Sequence, residues 1–127
     1  MNSEFDTSQP IYLQLQQRIC RQIVRGELKP GDKLPAVRQM AAQVGVNPNT
    51  MQRVYAGLEQ EGIVSVRRGE GSFVTEDAGR VAQLHEQLKD EHIAGFVADM
   101  GEMGFTADEI IAGVQTYIKT LNKGSGR

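Results

Sequence analysis

Residues 45–55 read Gly-Val-Asn-Pro-Asn-Thr-Met-Gln-Arg-Val-Tyr, and this stretch decides the fold. A glycine suits the left-handed residue that closes a helix. Asn followed by Pro suits the N-cap and first position of the next helix, where the N–H that Pro lacks would have no partner anyway. Gly45 and Asn47-Pro48 therefore predict two helices joined by a very short connection. Val46 before the cap and Met51 at the fourth helical position can close a hydrophobic staple that sets the angle between them. Beyond the junction Met51, Val54, Tyr55 and Leu58 recur at i, i+3, i+4 and i+7, the spacing of a buried stripe. An advance of about 100° per residue puts Asn49, Arg53, Ala56 and Gln60 on the opposite side, flanked by Gln52 and Thr50.

Upstream, Val37, Met40, Ala41 and Val44 give a second helix the same buried spacing, with Pro35 suited to its first turn and Arg38 off its buried face. The stretch Lys29-Pro30-Gly31-Asp32-Lys33 reads as a turn. Before it, Tyr12, Leu15, Ile19 and Ile23 mark the apolar stripe of a first helix within Pro10 to Leu28. Downstream, Gly62 stops the third helix, and two β-rich runs, Ile63 to Val66 and Ser72 to Thr75, flank Arg67-Arg68-Gly69-Glu70-Gly71. Two glycines in so short a loop predict a hairpin that carries two arginines. Helix, helix, short turn, helix and basic hairpin make the outline of a mainly α winged helix-turn-helix over residues 1–75.

Residues 76–127 carry a long helical pattern to about Met103 and then a second start signal. Thr106 and Glu109 form a capping box, and Phe105 can staple to Ile110. The last helix is expected to bury Ile110, Ile111, Val114, Tyr117, Ile118 and Leu121. An antiparallel helix pair this apolar cannot hide its surface on itself, so a second copy of the chain is the expected partner. The dimer contacts are placed at Leu84, Leu88, Phe96, Met100, Ile110, Val114, Tyr117 and Ile118. The other arrangement open to the sequence folds both helices back on the winged part.

The net charge of -2 conceals an asymmetry. From Arg18 to Arg68 there are nine Lys and Arg against four Asp and Glu, and from Glu76 to Arg127 five against nine. A basic front and an acidic back suit a chain in which one part meets a polyanion. No apolar run approaches the roughly 20 residues of a membrane-spanning helix, the opening residues lack a signal-peptide pattern, and the lone Cys20 cannot form an internal disulfide; the cytoplasm is the expected compartment. No cofactor, metal or catalytic activity is expected. His85 and His92 lie two helical turns, about 10.5 Å, apart, too far to share an ion. No Ser or Cys sits in a nucleophile motif.

The outward face of the third helix has the groups that read DNA. Amides such as those of Asn49 and Gln52 can pair with the N6/N7 edge of adenine, and the Arg53 guanidinium can bridge guanine or clamp phosphate. Arg38 can reach a base or the backbone, and Arg67 and Arg68 can enter a narrow A·T-rich minor groove. A winged-helix module used only for protein assembly would share the hydrophobic pattern but would not need these groups facing outward.

The segments Gly31-Asp32-Lys33-Leu34-Pro35-Ala36-Val37-Arg38, Val46 to Tyr55, Leu58-Glu59-Gln60-Glu61-Gly62-Ile63 and Arg68-Gly69-Glu70-Gly71-Ser72-Phe73-Val74 together resemble the GntR family of bacterial transcription regulators. Asn-Pro-Asn-Thr and the short helical tail look most like its YtrA-type branch. The resemblance implies a repressor, dimeric through its C-terminal helices, on an inverted-repeat operator. By position it implies that Arg38, Asn47, Asn49, Thr50, Gln52 and Arg53 lie at the DNA face, with Arg68 and Gly69 at the tip of the wing. Many relatives hold Ser or Thr at Ala36 and Arg or Ser at Pro48, so base reading here leans on Asn49 and Gln52. No large effector domain is expected within these 127 residues, and a small-molecule effector of unidentified kind stays open as a partner.

Overall fold

The computed structural model describes residues 8–124. The elements are helices α1 (Ile11–Val24), α2 (Val37–Val44) and α3 (Pro48–Gln60), strands β1 (Val64–Arg67) and β2 (Gly71–Val74), and helices α4 (Ala78–Glu102) and α5 (Ala107–Gly124). They divide into two compact units, Met1–Glu86 and Gln87–Arg127.

In the first unit α1 buries Leu15, Ile19, Cys20 and Ile23, and α3 buries Met51, Val54, Tyr55 and Leu58. Helix α3 packs on α1, α2 and β1, so it runs through the middle of the core. Met51 and Val54 are fully enclosed, and each such side chain contributes about 1.5–3 kcal/mol on leaving water. Where α1 meets α3, the Gln16 amide lies over Gly57, in space that a Cβ there would claim. Gln16 donates from that amide to the Val54 carbonyl at 3.4 Å.

Helix α2 ends as expected. Gly45 takes φ +85°, and its N–H bonds the Ala41 carbonyl, a conformation that a side chain would strain. Its start differs from the expectation, because Pro35 lies outside the helix and Ala36 is the N-cap, without a side-chain cap. The reason is that residues 31–34 are not a free turn but run beside β2. Lys33 bridges to Phe73, the Leu34 N–H donates to the Ser72 carbonyl at 2.8 Å, and the Val74 N–H donates to the Asp32 carbonyl at 2.8 Å. The Pro35 carbonyl in turn accepts the Tyr55 hydroxyl at 2.7 Å, tying α3 to the segment that leads into α2.

Strands β1 and β2 pair antiparallel with Val64 opposite Val74 and Arg67 opposite Gly71. Helix α4 is anchored to this unit by Arg80, whose Nε donates to the Glu61 carbonyl at 2.8 Å at the C-cap of α3. A cation there also favours the negative end of the helix dipole. Leu84 is buried as well. The first turns of α4 thus fall within the first compact unit.

In the second unit the capping box forms as the sequence specifies. The Thr106 N–H donates to Glu109 Oε1 at 2.9 Å, and the Glu109 N–H donates to Thr106 Oγ1 at 3.2 Å. The expected burial along α5 does not occur in the single chain. Ile110 is buried, whereas Ile111, Val114, Tyr117, Ile118 and Leu121 are all exposed. Phe96 and Met100 meet Ile110, Gly113, Val114 and Tyr117 around an apolar concavity of about 370 Å3. Two helices have too little surface to cover one another on every side. Among the described residues no helix is long and apolar enough to cross a membrane.

Burial pushes the Tyr55 phenol up to about 12 from its usual 10. A group raised in the folded state gives its full stabilisation below the unfolded value and loses it as pH climbs through the folded one. Tyr55→Phe leaves the Pro35 carbonyl unpaired and should cost about 1 kcal/mol at neutral pH. In urea unfolding at a series of alkaline pH values, the advantage of the native protein over this variant should hold to about pH 10 and shrink towards pH 12.

Candidate nucleic-acid interface

The polar side of α3 is aimed outward by the burial of its other side. Asn47 caps the helix, its Oδ1 accepting the Asn49 N–H at 2.7 Å, and Pro48 occupies the first position. The cap uses one lone pair of the Asn47 oxygen, and the Asn47 NH2 group is a separate donor. Asn49, Gln52 and Arg53 are exposed, and Thr50 is half-buried beside them. Exposed amide and guanidinium groups share one helical face with the small Ala56, the chemistry that base edges in a major groove require.

Arg53 is not a loose side chain. Its guanidinium carbon lies 3.7 Å from the centroid of the Tyr12 ring, a cation–π contact between the start of α1 and the outer face of α3. Tyr12, expected in the apolar stripe of α1, is only half-buried and lines an open cleft with Pro10, Ile11, Thr50 and Arg53. Sequence periodicity assigned this ring to the core, and no local signal pairs it with a residue of α3.

Arg38 is exposed in the first turn of α2, as expected. The two hairpin arginines, expected to act alike, part company. Arg67 is held at the base of the wing, with Nη2 3.0 Å from Glu76 Oε2 and its guanidinium 4.0 Å from the centroid of the Phe73 ring. Arg67 thus has a carboxylate partner and a stacking surface at the base of the wing. Arg68, Gly69 and Glu70 form the exposed turn, tightened by φ +78° at Gly69 and by the Glu70 N–H donating to the Arg67 carbonyl at 2.9 Å. Of the two hairpin arginines, Arg68 is the more exposed. Lys33, which the sequence placed only in a turn, is exposed beside Gly71 and lines a concavity with Ala36, Gln39, Glu70 and Ser72 between α2 and the wing. Pairing of residues 31–34 with β2 brings it there.

His85 and His92 are both exposed on α4, and the His92 ring bonds the Leu88 carbonyl at 2.9 Å. A three-helix core that presents a polar recognition helix next to a β-hairpin wing defines a winged helix-turn-helix transcription regulator that binds DNA.

Within that class the chain belongs to the GntR family, whose pattern, described as bacterial regulatory proteins of the gntR family, matches residues 11–74. It is 49% identical over 117 residues to the HTH-type transcriptional regulator YhcF of Bacillus subtilis, an alignment covering 92% of this chain and 97% of that protein. It is 41% identical over 99 residues to the HTH-type transcriptional repressor YtrA of the same organism, covering 70% of this chain and 76% of the repressor. Among solved structures, a GntR family transcriptional regulator from Listeria monocytogenes superposes with a TM-score of 0.82 at 40% identity, covering 88% of this chain and 98% of that one. The DNA-binding domain of AraR in complex with its operator ORX1 superposes with a TM-score of 0.51 at 28% identity, covering 53% of this chain and 81% of that one. The YtrA-type resemblance of the sequence thus extends beyond the winged part into the tail.

The unequal environments of the hairpin arginines generate an expectation. Arg68→Ala should weaken binding to A·T-flanked duplex by about 1 kcal/mol or more, and Arg67→Ala should weaken it less while lowering thermal stability. Titration of both variants against one labelled duplex, with melting curves alongside, checks the order.

Proposed function

We propose that this protein binds an inverted-repeat operator as a homodimer and represses transcription, with α3 in the major groove and the turn of the wing in the adjoining minor groove. The observation that carries the reading is the segregation of α3, with Met51, Val54, Tyr55 and Leu58 buried and Asn49, Gln52 and Arg53 exposed. The AraR complex is a DNA-bound relative of the same winged part, and YtrA is a repressor by name. In this reading Asn49 and Gln52 pair with base edges, and Arg53 takes guanine or phosphate. Asn47, Thr50, Arg38 and Lys33 hold phosphates, and Arg68 with Gly69 follows the minor groove. The cytoplasm, where a bacterial chromosome lies, is its place of work.

The first unit is the DNA-binding part and the second the dimerisation part. Leu84 and Ile110 are buried within their own chain at 3% and 7% exposure, so in this reading they add little area to the interface. The dimer contact rests on Leu88, Phe96, Met100, Val114, Tyr117 and Ile118, of which Tyr117 is 63% exposed in the single chain. Apolar area of this extent on a helix pair supports a self-complementary two-fold interface.

Selection of bound duplexes from a random pool tests the function. The expected product is a pair of inverted half-sites whose centres lie about one helical turn, or a multiple of it, apart; a pool without consensus or with single half-sites rejects the reading. On the selected duplex Gln52→Ala should cost about 1–3 kcal/mol and leave binding to random duplex unchanged. Sedimentation checks the tail: Ile118→Glu should turn a dimer into a monomer, and a variant that stays dimeric removes α5 from the interface.

A further inference from the structure

Arg53 is exposed on the face of α3 proposed to read DNA, yet its guanidinium rests on a ring from a different helix. We propose that Tyr12 is a positioning residue for DNA recognition, one that acts through Arg53 by fixing the plane of its guanidinium. The inference rests on the DNA-binding reading and extends it to a residue of α1.

A guanidinium is flat. Its five N–H donors point outward in its plane, and its two faces donate nothing. A ring 3.7 Å beneath one face therefore holds the group without using any donor. Among the described residues no acidic side chain pairs with Arg53, so the edge stays open for a bidentate partner such as the O6/N7 edge of guanine or two phosphate oxygens. Arg67 shows the opposite use of the same contact, since Phe73 takes its face and Glu76 takes its edge.

The platform is well founded. Tyr12 stands in the first turn of α1, and Leu15, three residues on, is buried at 2% exposure. One turn further along, the Gln16 amide lies over Gly57 and donates to the Val54 carbonyl, a second contact of α1 with α3. A long, flexible arginine would otherwise lose its rotamer freedom on meeting DNA, whereas one already stacked has lost part of it beforehand. A lysine at position 53 would keep the charge but has no plane to orient.

The test uses the full chain, the selected operator duplex, and the variants Tyr12→Phe, Tyr12→Leu, Arg53→Ala and Tyr12→Leu with Arg53→Ala. In the free protein, the arginine Nε–Hε signal of Arg53 should be displaced upfield by the ring current in the native chain and in Tyr12→Phe, and should return to the ordinary position in Tyr12→Leu. In fluorescence anisotropy, Tyr12→Leu should weaken operator binding by about threefold to tenfold, and Tyr12→Phe should stay within about twofold of the native protein. In the Arg53→Ala background, Tyr12→Leu should add no further loss.

An equal loss in both backgrounds would overturn the inference, since Tyr12 would then act directly or through the fold. So would a loss in Tyr12→Phe as large as in Tyr12→Leu, which would assign the effect to the hydroxyl. An Arg53 signal unmoved by Tyr12→Leu would overturn it without any DNA present and with operator binding intact. Failure of the native chain to select a duplex is a separate result, and it removes the DNA reading together with this one.

Discussion

The structure depends on one constraint, that the inner face of α3 must be buried against α1, α2 and β1 at the same time. Met51, Val54, Tyr55 and Leu58 meet that demand with almost no surface left over. Because a helix has two sides, burying one of them aims the other, and Asn49, Gln52 and Arg53 face outward without any device of their own. The tie from the Tyr55 hydroxyl to Pro35 and the closure of α2 at Gly45 fix the angle at which α3 is presented. The outward polar face of α3 is a by-product of core packing.

Charge placement refines that surface. The fold holds Arg67 on Glu76 and Phe73 near the start of α4, holds Arg80 on the C-terminal end of α3, and leaves Arg68 on the turn. Two of these cations act as braces for the wing and the helix junction. A cation held by a carboxylate partner offers less to a polyanion than its type suggests, so counting arginines overstates the DNA-facing charge. Aromatic rings decide orientation as well as burial, as Tyr12 and Phe73 do beneath Arg53 and Arg67. The second unit follows a different logic, since its capping box makes α5 start where it does while most of the apolar side chains of α5 remain uncovered in one chain.

Local sequence determined much of this protein. Gly45, Asn47 and Pro48 set a two-helix junction, the i, i+3, i+4, i+7 spacing chose the buried side of α3, Gly69 placed the turn of the hairpin, and Thr106 with Glu109 started α5. These outcomes are readable because each depends on backbone conformation or on neighbours within about one helical turn. Tertiary structure decided the rest. Pro35 left the helix because residues 31–34 pair with β2, Arg67 met Glu76 across the base of the wing, Tyr12 met Arg53 between two helices, and Leu84 went into the chain's own core. Each of those contacts joins residues from separate elements, and periodicity along one helix says which side is apolar but not which distant side chain will come to rest on it.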